Sequence, residues 1–140
     1  MRKNISPPLW GPGAWTFLHY IALAYPENPS KKDKENYKHF FMNLQNVLPC
    51  QKCSEHYGIN LQKYPLDQSL DNHQNLFRWT VDIHNEVNKK LNKKIYSFEE
   101  AYKLYTNNVN NNNNNYNDLL FKTGCVLLII FVGWFIYQKK

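Results

Sequence analysis

The chain has 140 residues, 17 Lys and Arg against 11 Asp and Glu, and a formal net charge of +6. Up to Thr106 it holds 14 basic and 10 acidic residues, dispersed along the sequence, which excludes the clustered footprint of a nucleic-acid binder. Aromatic residues make up 16%, enough rings to bury a small core and exclude disorder over most of the chain, and three cysteines are too few for a disulfide-framework mini-protein.

The first residues, Met1 to Pro8, hold no apolar stretch and do not read as a signal peptide. The first 106 residues then show helical periods and no strand alternation. Trp15, Leu18, Ile21, Ala22 and Tyr25 share one face of a first helix that Pro26 stops. Ser30 and Asp33 predict the capped start of a second helix, whose apolar face carries Tyr37, Phe40, Phe41, Leu44, Val47 and Leu48 before Pro49 ends it. A third helix is expected from about Cys50 to Lys63. The fourth carries Leu76, Phe77, Trp79, Thr80, Ile83, Val87 and Leu91. A short fifth begins at Ser97, with Glu100 completing a capping box. The prediction is an all-α domain, a four-helix bundle plus a short fifth helix, over residues 1–106.

Asparagine dominates Asn107 to Asn117, so residues 107–118 are expected to form a flexible linker. Leu119 to Tyr137 is apolar all round. As a helix it would cover ~28 Å, about one bilayer core. The expectation is a C-terminal transmembrane helix over 119–138, a single-pass membrane anchor with the helical domain facing the cytosol. Cys125 falls inside this run and reads as an inert small hydrophobe.

Three groups of residues are able to carry chemistry. Cys50 and Cys53 form a Cys-x-x-Cys pair directly after Pro49, at a helix start where unpaired N–H groups stabilise a thiolate. On spacing alone the pair reads as redox-active, as half of a metal site or as inert. His56 adds a possible third zinc ligand, with His73 or His84 as a fourth; a membrane-tethered zinc-binding or interaction module is therefore the alternative. On the fourth helix His84, Asn88 and Leu91 share a face, where imidazole and amide interrupt an apolar stripe. Such groups either bond one another or meet a polar ligand. On the first helix His19 follows Trp15 by four residues, after the glycines Gly11 and Gly13.

Taken in order, Trp10-Gly-x-x-x-Trp15-x-x-Leu-His19, Pro49-Cys50-x-x-Cys53 and Trp79-x-x-x-x-His84-Asn85-x-Val87-Asn88-x-x-Leu91 closely resemble the Erv/ALR family of FAD-linked sulfhydryl oxidases. The resemblance covers about Leu9 to Tyr105, and the Asn/Lys bias resembles members encoded by large DNA viruses. It implies a helical bundle cradling FAD. By position it implies that Gly11, Trp15, His19, His56, Trp79, His84, Asn85, Val87, Asn88, Leu91, Lys93 and Tyr96 contact the cofactor. It implies that Cys50 and Cys53 form the redox disulfide, with Cys50 exchanging with substrate and Cys53 facing the flavin. The implied activity oxidises a protein dithiol, directly or through a thioredoxin-like shuttle, and passes electrons to FAD and then to O₂, giving hydrogen peroxide. A homodimer is also implied. The chain departs from the family where many members staple the fifth helix to the first with a further Cys pair: Ser97 and Phe98 stand there. It also lacks a second, shuttling Cys pair.

Overall fold

Prolines and short polar caps decide where each helix of this chain starts and stops. A computed structural model describes residues 3–138, with side chains described over residues 3–123, and all its regular structure is helical. Helix α1 runs Pro7–Leu23, with proline in the first turn, where its missing N–H costs nothing. Helix α2 runs Lys31–Val47. Its capping box is complete: Ser30 Oγ accepts the Asp33 N–H, and Asp33 accepts the Ser30 N–H at 2.9 Å. Helix α3 runs Gln51–Lys63, a 3₁₀ turn follows at Leu66–Ser69, and helix α4 spans His73–Lys90 behind an Asn72 cap.

Helix α4 is the centre of the domain. It packs against α1, α3 and the 3₁₀ turn, while α2 packs on α3. Phe41, Leu76, Phe77 and Ile83 are fully enclosed, each contributing about 1.5–3 kcal/mol of burial. Helix α3 lies close to α2: a Cβ on Gly58 would meet Gln45 Oε1 at 3.0 Å. The Ser54 hydroxyl also donates to the Gln45 carbonyl.

Helix α5 begins at Phe98 behind the predicted capping box, with Glu100 N–H donating to Ser97 Oγ (3.1 Å) and Ser97 N–H to Glu100 (3.0 Å). Among the described residues no disulfide fixes this start. Instead Phe98 and Tyr102 stack on each other and set their edges against Phe77, and the Arg78 guanidinium lies 3.9 Å from the Phe98 ring centre. This aromatic cluster ties the start of α5 to α4.

The chain divides into two units, Met1–Tyr102 and Lys103–Lys140. The first holds the buried core. In the second, Lys122 pairs with Asp118 at 2.6 Å and Thr123 donates to the Leu119 carbonyl. Two expectations need correction. The fifth helix is not short: it continues as one 41-residue helix, Phe98–Gln138, through the asparagine tract expected to be a flexible linker. Asparagine is a poor helix former, and residues 107–123 are all exposed, so neither propensity nor a buried face announces this helix in the sequence. The second correction concerns the transmembrane helix. Among the described residues no helix is long and apolar enough to cross a membrane, so the C-terminal span is not supported. The described part of α5 is mostly polar, and the side chains of residues 124–140, Cys125 among them, lie outside the described residues.

Candidate active site

Pro49 ends the preceding segment and leaves Cys50 in extended backbone (φ −154°, ψ 113°), the conformation of a helix N-cap. Cys50 Sγ accepts the Cys53 N–H at 3.2 Å. The two cysteines are joined as a disulfide, with Cα atoms 5.2 Å apart. Cys50 is buried, at 8% exposure, and Cys53 is half-buried. Cys50, the member expected to exchange with substrate, is thus the more enclosed of the two. The N-terminal segment contributes: Ile5 N–H donates to the Pro49 carbonyl at 2.7 Å, and Trp10 Nε1 donates to the Ile5 carbonyl. His56 sits half-buried one turn beyond Cys53.

A second group forms where α1 meets α4. Trp15 lies parallel to His84, ring centres 4.2 Å apart and planes within 6°. His19 Nε2 is 3.1 Å from His84 Nδ1, and His19 Nδ1 is 2.8 Å from Thr80 Oγ1. Burial, then the neighbouring His84, lowers the His19 pKa to about 3. Burial, then Lys93, lowers that of His84 to about 4. Both rings are neutral at physiological pH. Thr80 lies outside the candidate site residues that the sequence points to. Its signal was its place four residues before His84, on the same face.

The remaining predicted residues divide by task. Trp79 is buried, donates its indole N–H to the Tyr64 carbonyl at 2.9 Å and sets its ring edge-on to Phe41. Asn85 is used twice by the fold: its amide donates to the Tyr96 carbonyl (2.8 Å) and accepts the Tyr96 N–H (3.1 Å). It pins the segment between α4 and α5. Asn88 is buried and Val87 half-buried. Helix α4 ends in a tight reversal: Leu91 caps it, Asn92 takes φ 51°, and Lys93 N–H returns to the Asn88 carbonyl at 2.9 Å. That turn leaves Leu91 exposed at 55% and Lys93 exposed beside the end of the His84 face.

Gly11 and Gly13 lie inside α1 without positive φ, and a Cβ at either meets no atom within 4 Å. Glycine in a helix costs roughly 0.5–1 kcal/mol against alanine, and among the described residues no neighbour requires it here. Gly11 leaves the backbone open one turn from the Trp15–His84 stack, a flat surface of the kind an aromatic group stacks on. The exposed Lys93 fits an anionic one. Among the described residues no group of three or more His, Cys, Asp and Glu is placed to hold a metal ion. The zinc alternative loses its ligands as well, since Cys50 and Cys53 are bonded to each other and His84 to His19.

A helical bundle with a Cys-x-x-Cys disulfide at a helix start and an imidazole–indole shelf for a flat cofactor defines a helical thiol–disulfide oxidoreductase. The Erv1 / Alr family model matches residues 12–111, and the chain belongs to that family. It is 48% identical over 98 residues to a probable FAD-linked sulfhydryl oxidase of Acanthamoeba polyphaga mimivirus, covering 69% of this chain and 68% of that one. It is 37% identical over 100 residues to an FAD-linked sulfhydryl oxidase of African swine fever virus, covering 71% of this chain and 82% of that protein. The crystal structure of the yeast Erv1 core superposes with a TM-score of 0.68 at 26% identity, over 74% of this chain and 86% of that one. The FAD-binding domain of Erv1 from Saccharomyces cerevisiae superposes with a TM-score of 0.64 at 27% identity, over 69% of this chain and 90% of that one.

Proposed function

We infer that the chain is an FAD-linked sulfhydryl oxidase that makes disulfides in dithiol substrates, and the observation that carries this is the Cys50–Cys53 disulfide at the start of α3. A substrate thiolate attacks one sulfur of the pair and expels the other, giving a mixed disulfide between substrate and enzyme. The second substrate thiol attacks that bond. Substrate leaves as a disulfide, and Cys50 and Cys53 hold the two electrons as a dithiol. The Cys53 N–H and the other unpaired amides of the first turn hold a thiolate at Cys50. FAD, when bound, supplies the oxidant that restores the disulfide and delivers the electrons to O₂.

In this reading Trp15, His56, His84, Val87, Asn88, Leu91, Lys93 and Tyr96 line the FAD site, Gly11 leaves it room, and His19 acts on it through His84. Trp79 and Asn85 act from behind, holding α4 and the Tyr96 segment in place. The likeness to enzymes named FAD-linked sulfhydryl oxidases supports the cofactor and the reaction. The protein assembles as a homodimer, a reading supported by Phe17, 59% exposed on α1, against whose ring Phe40 of α2 packs edge-on. Substrates are protein dithiols, reached directly or through a thioredoxin-like shuttle.

The test is oxygen consumption and peroxide release with a small dithiol, on full-length protein purified with its FAD. Cys50→Ser and Cys53→Ser are each expected to abolish turnover and keep the flavin. Normal turnover in either variant would exclude the disulfide route.

A further inference from the structure

Three short contacts at the junction of α1 and α4 need three protons, and three are available. Thr80 Oγ1 lies 2.7 Å from the Phe77 carbonyl oxygen. Two oxygens at that distance need a proton between them, and the Thr80 hydroxyl alone carries one. Thr80 is therefore a donor to Phe77, and toward His19 it has only an acceptor left. His19 Nδ1, 2.8 Å from Thr80 Oγ1, must hold the proton of that contact. A neutral imidazole has one N–H, so His19 Nε2 is bare. His84 Nδ1, 3.1 Å from His19 Nε2, must then hold the third proton. The reverse assignment leaves the Thr80–Phe77 contact without a proton. A charged ring at either position is disfavoured by its burial.

We propose that Thr80 is a positioning residue that, through His19, fixes the tautomer of His84 and presents His84 Nε2 to the cofactor site as a hydrogen-bond acceptor. Among the described residues Nε2 of His84 meets no hydrogen-bond partner, while the ring is held flat against Trp15. The group that occupies this position must bring an N–H or O–H. Resting on the reading that FAD lies against His84, the partner is a donor of the flavin nucleotide: the adenine amino group or a sugar hydroxyl, not a phosphate or carbonyl oxygen. An anion would meet a lone pair there, so the phosphates belong at Lys93 rather than at His84. Neither Thr80 nor His19 needs to touch the cofactor for this to hold.

The direct test is nitrogen NMR of full-length protein labelled at histidine, with and without FAD. For His19 and His84 the proposal requires the protonated signature at Nδ1 and the bare signature at Nε2, in both samples. Loading FAD shifts His84 Nε2 as it gains a donor. Thr80→Val removes the acceptor that holds the His19 proton, so both rings lose the single tautomer, and FAD binding weakens about tenfold, the worth of one misdirected hydrogen bond. Thr80→Ser restores tautomer and affinity. A proton on Nε2 of His84 in the wild type overturns the proposal, and this holds even if Thr80→Val fails to fold. A Thr80→Val protein with unchanged tautomers also overturns it. The predicted tautomers with no shift of His84 Nε2 on loading FAD would remove the contact between His84 and FAD and leave the proton chain standing. Flavin hypoxanthine dinucleotide, which lacks the adenine amino group, separates the two donors: weakened binding assigns the amine, equal binding a hydroxyl.

Discussion

Single side chains set the chemistry of this site. The pair His19 and His84 stays neutral because burial, more than any neighbouring charge, disfavours the imidazolium. The consequence for stability has a definite sign. Below the ordinary histidine pKa of 6.5 the unfolded chain takes up protons that the folded one refuses. Their contribution is therefore complete above pH 6.5 and is lost as pH falls toward 4. Melting temperature is expected to drop between pH 7 and pH 5, and His84→Gln is expected to flatten that slope; a flat wild-type profile would contradict the neutral pair. A second acid-sensitive group lies lower. Hydrogen bonds from Lys89 and Lys63 hold the Glu86 carboxyl near 2, so its share is lost between about 4.5 and 2. At this scale the sequence was informative about identity and silent about partners. Periodicity put Trp15 above His19 and His84 above Asn88, but no spacing announces that His19 bonds Thr80 sixty-one residues away. Nor does it show that Asn85 spends both ends of its amide on Tyr96. Such pairings depend on how α1 and the α4–α5 segment lie on α4, which is a tertiary fact.

Helix ends carry much of the remaining information. The capping boxes at Ser30 and Ser97 were readable because each uses residues three apart, and both form. The reversal after α4 was not readable, since it depends on Asn92 adopting φ 51°. Asparagine tolerates that conformation and a β-branched residue does not. Asn92→Gly is expected to be neutral or slightly stabilising. Asn92→Val is expected to cost about 1–2 kcal/mol and to weaken FAD binding by displacing Lys93; equal melting temperatures for the two variants would contradict this account of the turn. The start of α5 supplies another test. Phe98 rests on Phe77 and Tyr102 under the Arg78 guanidinium. Phe98→Ala is expected to lower unfolding free energy by about 1–3 kcal/mol, read by denaturant titration. A loss below a few tenths would mean that the cluster does not hold the start of α5 to α4.

The whole molecule divides after Tyr102 into a unit that contains the core and a second formed by the rest of α5. All the residues assigned to the site belong to the first. A protein ending at Thr106 is expected to bind FAD and oxidise a small dithiol at the full-length rate; a large loss would place part of the site beyond residue 106. The helical bundle was legible because buried faces repeat every three to four residues. The long α5 was not, because an exposed asparagine helix has no such face. In the proposed reaction electrons enter through Cys50 and Cys53 before they reach the flavin. Anaerobic mixing of FAD-loaded full-length protein with excess dithiol tests it most directly, by following the flavin's visible absorbance. Rapid bleaching is expected in the wild type, and an unbleached, still-bound flavin in Cys50→Ser and Cys53→Ser. Bleaching of either variant at the wild-type rate would contradict that route.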